Sequence, residues 1–311
     1  MDSTNPSTHF KDNYNDSYKK ILAQFYEANQ QRLQRNYPGL SFHTLKSSLE
    51  DFFFSEIFIT KGLLNSYGNI AYHEKFRHFI EMVDSGMPLA YIVQKAHFYG
   101  LDFWVNSSTL IPRPETEGLV ELCLQKLKSK SNKSGPIHFA EVGVGTGCIS
   151  LALLANSEDP LIGVGTDLSE QCIEVASVNK FRLNHFFHKS SEMKFQKNDR
   201  LTGLPSQSFD LVVSNPPYIK KNADKELVHS NVYDYEPHLA LFLEDEFYFE
   251  WFGEFLRQTY DCLMPEGFFA FELSENYMPR LLDLANQTNF KETKIVSDLT
   301  GRPRYLTGIK N

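Results

Sequence analysis

The segment Glu141-Val142-Gly143-Val144-Gly145-Thr146-Gly147 stands between an apolar run, Ile137–Val142, and a helical pattern, Cys148–Leu154. Glycines at this junction let the backbone turn sharply and let a ligand approach without meeting a Cβ. The first N–H groups of the helix are then free to face an anion. A strand that feeds a helix through such a loop belongs in an open α/β sheet. The rest of the second half keeps that pattern. Leu161–Thr166, Phe209–Ser214 and Phe268–Glu272 read as strands, and Ser169–Asn179 as a helix. Alternation of this kind predicts a mainly parallel sheet covered by helices on both faces. Thr293–Val296 and Arg304–Ile309 predict a closing antiparallel hairpin on the sheet edge.

The first hundred residues have a different texture. Leu45, Leu49, Phe52 and Phe53 share one helix face, and Phe76, Phe79, Ile80 and Val83 repeat the spacing. Ile21, Phe25 and Ala28 give a weaker earlier case, and Asp84–Pro88, around Gly86, reads as a helix stop. Strand-like segments around a turn begin at about Tyr91. The predicted domains are a helical one over 1–90 with a polar tail, a linker and start of the catalytic domain over 91–135, and the catalytic domain over 136–311. The tail, Met1 to about Ser17, lacks the apolar core of a signal peptide and is expected to fray. The Lys-rich stretch Lys126–Lys133 is expected to solvate a helix end and a loop.

Composition narrows the function. The net charge of −8 argues against a protein that coats nucleic acid. No run of about 18 apolar residues predicts a membrane span. Cys123, Cys148, Cys172 and Cys262 have no CxxC spacing, so neither a metal site nor a redox pair is expected, and a reducing cytoplasm is.

A glycine loop alone is a weak signal. Asp167, at the end of the next predicted strand, strengthens it, because a carboxylate there can accept from ribose hydroxyls. The alternative for Asp167 is a helix N-cap, since Ser169 and Glu170 follow. These features leave a nicotinamide dinucleotide and S-adenosylmethionine both open.

Ser214-Asn215-Pro216-Pro217-Tyr218 follows the strand ending at Ser214. Two prolines make this loop rigid and bias Asn215 towards extended backbone. An amide or aromatic amine nitrogen is a poor nucleophile, because its lone pair is delocalised. It becomes reactive when its N–H groups are held by acceptors and its lone pair faces the methyl carbon. The Asn215 side-chain oxygen and the Pro216 carbonyl supply acceptors, and Tyr218 can pack on a planar group. Catalysis is then mostly positioning and electrostatics. This loop resembles that of methyltransferases acting on adenine N6, cytosine N4 and glutamine N5, with a Rossmann-like class I fold and S-adenosylmethionine as cofactor.

Further strings narrow the resemblance. Leu110-Ile111-Pro112-Arg113-Pro114-Glu115-Thr116-Glu117 resembles a signature of the HemK/PrmC family of peptide chain release factor N5-glutamine methyltransferases. Pro88-Leu89-Ala90-Tyr91-Ile92 with Phe98-Tyr99-Gly100, Tyr235-Glu236-Pro237 with Ala240-Leu241, and Asp298–Arg304 are similar to its other segments. The signature favours the release-factor branch over ribosomal-protein glutamine methyltransferases. The resemblance implies that the substrate is the GGQ glutamine of class-I release factors and that the helical domain binds the release factor. It places the cofactor loop on Glu141 to Gly145, with Gly147 beyond, the ribose acid on Asp167, and the adenine-side loop on Asn198-Asp199-Arg200. It places the substrate glutamine on Asn215, Pro216, Pro217 and Tyr218, with Asn215 also facing the cofactor. The family usually opens its glycine loop with Asp, where this chain has Glu141, still long enough for the cofactor's amino group. An aromatic or aliphatic residue often stands where this chain has Arg200, whose planar guanidinium can also stack. Arg113-Pro114 has two readings, a cover over the cofactor side of the pocket and a turn joining the domains.

Three other functions compete. An N6-adenine methyltransferase acting on DNA or RNA leaves the Pro-Arg-Pro-Glu-Thr-Glu string unexplained. A binding module without turnover does not need Asn215–Tyr218. An NAD-dependent enzyme gives that loop no role.

Overall fold

The computed structural model describes residues 18–54, 68–128 and 135–311, so the polar tail and the Ser129–Lys133 part of the Lys-rich stretch lie outside the described residues. Two compact units divide the chain: Met1–Gln94 with Ser230–Tyr235, and Lys95–His229 with Glu236–Asn311.

The first unit is helical. Its helices span residues 18–28, Gln30–Asn36, Phe42–Phe54, Gly68–Asp84 and Leu89–Val93. Leu22, Leu33, Leu45, Leu49, Phe52, Phe79 and Val83 form a common core. The expected face of the first helix is corrected: Ile21 is 44% exposed and Ala28 is exposed, while Tyr18 and Leu22 are buried. Aromatic packing decides this, because Tyr18 sits against Phe53 and Phe76. Tyr91, expected at the start of strand-like chain, lies in the short helix Leu89–Val93. Ser230–Tyr235 joins this unit as a further helix. The Asn231 amide donates to the carbonyls of Asn36 and Gly86, and the Tyr235 hydroxyl to that of Ser85, each at 2.7 Å.

The second unit opens with a hairpin, β1 (Lys95–Phe98) and β2 (Leu101–Trp104). Tyr99 (φ 48°) and Gly100 (φ 77°) form its two-residue turn, a conformation matched to the strand twist. The main sheet follows: β3 (Ile137–Val142), β4 (Leu161–Asp167), β5 (Glu192–Lys197), β6 (Phe209–Ser214), β9 (Leu263–Glu272), β10 (Lys291–Ser297) and β11 (Pro303–Ile309). Two short strands, β7 (Ile219–Lys220) and β8 (Phe242–Leu243), pair separately. The sheet order is β10-β11-β9-β6-β3-β4-β5. The five strands from β9 to β5 in that order run parallel, and β11 and β10 are antiparallel. This is the expected parallel sheet with its closing hairpin.

The central strands β3 and β6 are almost wholly buried because both faces are covered. All six residues of β6 are buried, including Asp210, whose carboxylate accepts the His138 N–H at 3.1 Å. On one face Tyr248–Cys262 and Met278–Gln287 pack on Ala140, Val142, Val212, Phe269 and Phe271. Glycine at 163 has a packing cause, since a Cβ there would lie 2.4 Å from the Met193 sulfur and 2.5 Å from the Phe139 ring. Lys128 ends the helix Pro114–Lys128 and pairs with Glu158 at 2.8 Å.

The connections diverge at β3, which has β4 on one side and β6 on the other. In open α/β sheets the crevice at such a switch point, beyond the carboxyl ends of the strands, is where ligands bind. The glycine loop and the Asn215–Tyr218 loop both leave the sheet there.

Candidate active site

The floor of the crevice is the glycine loop. Gly143 and Val144 donate to the Thr166 carbonyl at 2.8 and 3.1 Å, which ties the loop to the end of β4. Gly143 and Gly145 have φ of 72° and 50°, in the left-handed region that favours glycine. A Cβ on Gly145 would meet nothing within 4 Å, so that side of the loop faces open space in the pocket. Gly147 differs. It starts the helix Cys148–Asn156, and its bare Cα is closed in by Leu151, Ala176 and Phe195. It is not among the pocket-lining residues, so its demand for glycine comes from its φ of 78° and from packing, not from the ligand.

Glu141 ends up beneath this loop, 1% exposed. One carboxylate oxygen accepts from both the backbone N–H and the hydroxyl of Ser150. The other is buried without a partner. Burial pushes the carboxyl up to about 8, against the Ser150 bonds that hold it down. A buried oxygen in that state is costly unless a donor reaches it. Glu141 lines the pocket, so a ligand ammonium group is such a donor.

Asp167 is also raised by burial, opposed by the backbone N–H groups of Gly145, Ser169 and Leu168 and by the Cys172 thiol. Its Oδ2 accepts the Gly145 N–H at 3.0 Å and its Oδ1 the Ser169 N–H at 2.9 Å. The cap of the helix Glu170–Leu183 is Ser169, which accepts from the Cys172 N–H. The N-cap reading of Asp167 is thereby replaced. Asp167 lines the pocket beside the glycine loop. Asp199 and Arg200 line it further along. Arg200 holds both Asp199 oxygens, at 3.0 and 2.9 Å, and its guanidinium lies 5.2 Å from the Trp251 ring centre. Stacking by Arg200 is therefore present, but its partner here is Trp251.

The second wall is the loop after β6. Ser214 pairs in register with Val142, and its hydroxyl donates to the Val142 carbonyl at 2.7 Å. That bond sets the two loops side by side: a Cβ on Gly143 would stand 3.8 Å from the Asn215 carbonyl oxygen. Asn215, Pro216 and Pro217 line the pocket. Tyr218 does not. It is turned under the loop, where its hydroxyl donates to Glu272 at 3.4 Å and its carbonyl accepts from the Tyr248 hydroxyl at 2.9 Å. The Lys220 ammonium beyond it lies 4.5 to 5.2 Å from the rings of Tyr277, Phe249 and Tyr248, a cation–π cluster that fixes the loop's exit.

Two supports of Asn215 escaped the sequence reading, Thr116 on the pocket lining and Glu272 behind it. The Asn215 amide nitrogen donates to the Thr116 hydroxyl at 3.0 Å, and Thr116 donates to Glu272 at 2.7 Å. Thr116 lies inside the Pro-Arg-Pro-Glu-Thr-Glu string. Glu272 carried the weaker signal of a carboxylate at the carboxyl end of a predicted strand. Trp251 left no signal, because its place depends on the helix Tyr248–Cys262. Arg113 lines the pocket and donates to Glu236 at 2.5 Å, and the Ile111 N–H reaches the other oxygen of Glu236 at 3.1 Å. Both ends of this pair lie in the second unit. Of the two readings of Arg113, the pocket cover fits this placement.

A doubly covered parallel sheet, a glycine loop beside a strand-end carboxylate, and the Asn-Pro-Pro-Tyr loop at the switch point define a class I S-adenosylmethionine-dependent methyltransferase. The methyltransferase small domain family matches residues 120–240. A release factor glutamine methyltransferase of Flavobacterium psychrophilum is 35% identical, over 70% of this chain and 74% of that one. One of Leptospira interrogans is 33% identical, over 78% and 81%. Among solved structures, a methyltransferase from Pyrococcus furiosus is similar over 69% of this chain and 91% of that one, at 19% identity and a TM-score of 0.46. The chain belongs to the release factor glutamine methyltransferase family, and its methyl donor is S-adenosylmethionine.

Proposed function

We propose that the chain methylates the side-chain amide nitrogen of the glutamine in the GGQ motif of class-I peptide chain release factors. The observation that carries this reading is the side-by-side placement of the glycine loop and Asn215, joined by the Ser214–Val142 bond. Cofactor and planar amide then share one crevice. When bound, S-adenosylmethionine supplies an electrophilic sulfonium methyl group.

The chain's own residues do the rest. The unpartnered oxygen of Glu141 suits the cofactor's amino group, and the open side of Gly145 admits its methionine part. Asp167 accepts ribose hydroxyls, and the Asp199–Arg200 loop borders the adenine. Asn215 Oδ1 and the Pro216 carbonyl accept the two N–H groups of the substrate amide, which turns its lone pair towards the methyl carbon. Pro217 keeps this backbone rigid. Tyr218 supports the loop from below through Glu272 and Tyr248. The helical unit, Met1–Gln94 with Ser230–Tyr235, is assigned to recognition of the release factor. All four cysteines are free, which suits the cytoplasm. Among the described residues, no helix is long and apolar enough to cross a membrane.

The test is mass spectrometry of an unmethylated class-I release factor after incubation with the protein and S-adenosylmethionine. One added methyl on the GGQ glutamine is expected. No methylation, with cofactor binding intact, would overturn the substrate assignment.

A further inference from the structure

Glu272 and Thr116 lie behind Asn215 and are 1% and 2% exposed. Their bonds have a direction. An ionised carboxylate only accepts, and a threonine hydroxyl has a single proton. With Glu272 ionised, the Thr116 proton is committed to it at 2.7 Å. The Thr116 oxygen is then left to accept, and the group it meets 3.0 Å away is the NH₂ end of Asn215. The amide oxygen of Asn215 takes the other end. A protonated Glu272 could donate to Thr116, which would free the Thr116 proton to favour the reversed amide. We propose that Glu272 and Thr116 are positioning residues that fix which end of the Asn215 amide faces the substrate. This inference rests on the reading of Asn215 as the acceptor for the substrate amide.

The groups facing Glu272 come from four elements: Thr116 and Glu115 from the helix Pro114–Lys128, Cys148 from the helix Cys148–Asn156, Tyr218 from the loop after β6, and Arg304 and Tyr305 from β11. Burial pushes its carboxyl up to about 7, with Thr116, Arg304 and Tyr218 holding it down and Glu115 adding to the rise. The acceptor-only form therefore emerges as pH rises through neutrality.

The test combines turnover with a spectroscopic readout on the full chain. Thr116→Val should lower kcat roughly 10- to 100-fold on a release factor, a larger change than in the cofactor Kd. Thr116→Ser, which keeps the hydroxyl, should recover most of that loss. The kcat of the unaltered protein at saturating cofactor should rise through about pH 7, and that limb should vanish in Thr116→Val. The side-chain amide of Asn215, labelled with ¹⁵N and assigned by its loss in Asn215→Ala, should shift over the same pH range, and should not in Thr116→Val. Unchanged kcat in Thr116→Val, or an Asn215 amide resonance indifferent to pH, overturns the proposal. An unaltered protein that binds cofactor yet leaves the release factor unmethylated overturns the functional reading instead, and the amide resonance still judges the relay.

Discussion

Arg113 and Glu236 form an ion pair across 123 positions of chain, Nη2 to Oε1 at 2.5 Å. The Arg113 side chain is 29% exposed and that of Glu236 only 1%. Two strings far apart in sequence thus meet at one carboxylate, and the pair holds the Ile111–Arg113 segment, which lines the pocket at Pro112 and Arg113, to the chain after the β6 loop.

Removing Arg113 should therefore harm stability before chemistry. Arg113→Ala leaves Glu236 buried with the Ile111 N–H as its remaining donor in this pair of segments. A loss of about 2 kcal/mol is expected, below the full cost of breaking a buried pair because Arg113 is partly solvated. Urea unfolding checks this. The double variant with Glu236→Gln should lose less than the two single losses added together, and strict additivity would show that the pair is not coupled.

Asn215→Ala should lower kcat roughly 10²- to 10³-fold, well beyond any change in the cofactor Kd, while the fold stays intact, because the lost group acts on the nucleophile. Single-turnover kinetics and calorimetry make the comparison. Turnover near that of the unaltered protein would remove Asn215 from the proposed role.

Glu141 gives a pH dependence with a definite sign. Its folded value, about 8, lies above the ordinary 4.5. The unfolded chain thus loses its proton first, and between about 4.5 and about 8 the native state holds more protons. Its stability contribution is fully present below that window and falls as pH rises through it. Glu141→Gln should flatten this slope. A cofactor ammonium at the unpartnered oxygen favours the ionised form, so binding at pH 7 should release about one proton. Calorimetry in buffers of different ionisation enthalpy reads that number, and a value of zero would show that the ammonium binds elsewhere.

Gly145→Ala should weaken cofactor binding about tenfold with a stability cost of about 1 kcal/mol, since a Cβ there fills ligand space in a left-handed backbone. Gly163→Ala makes the contrast: its Cβ meets Met193 and Phe139, and the loss should be in stability, about 1 to 3 kcal/mol. If Gly145→Ala bound cofactor normally and only unfolded more easily, the loop would be structural.

The catalytic half was largely legible because its signals are local. β3 and β6 are short, mostly apolar runs, and their loops carry glycines and prolines whose conformational demands can be read one residue at a time. β5, Glu192–Lys197, escaped notice: it reads Glu-Met-Lys-Phe-Gln-Lys, and as an edge strand it buries little beyond Met193. The first helix was rotated by the same kind of error, since Ile21 and Leu22 are equally apolar and the ring of Tyr18 decides between them. At the site, Asn215 was found and its support was not. Thr116 and Glu272 are 156 positions apart, and nothing in either neighbourhood announces a bond between them.

The excursion of Ser230–Tyr235 into the helical unit bears on how the chain can evolve. A recognition module encoded wholly ahead of the enzyme could be replaced by one recombination break near position 94. Here six residues from the middle of the catalytic gene segment complete the helical unit proposed to recognise the release factor, through Asn231 on Asn36 and Gly86. A swap at a single break would strand them without their backbone partners. Substrate recognition, as proposed for the helical unit, and methyl transfer would thus be inherited as one linked trait, and changes of substrate should arise by substitution within the unit rather than by shuffling.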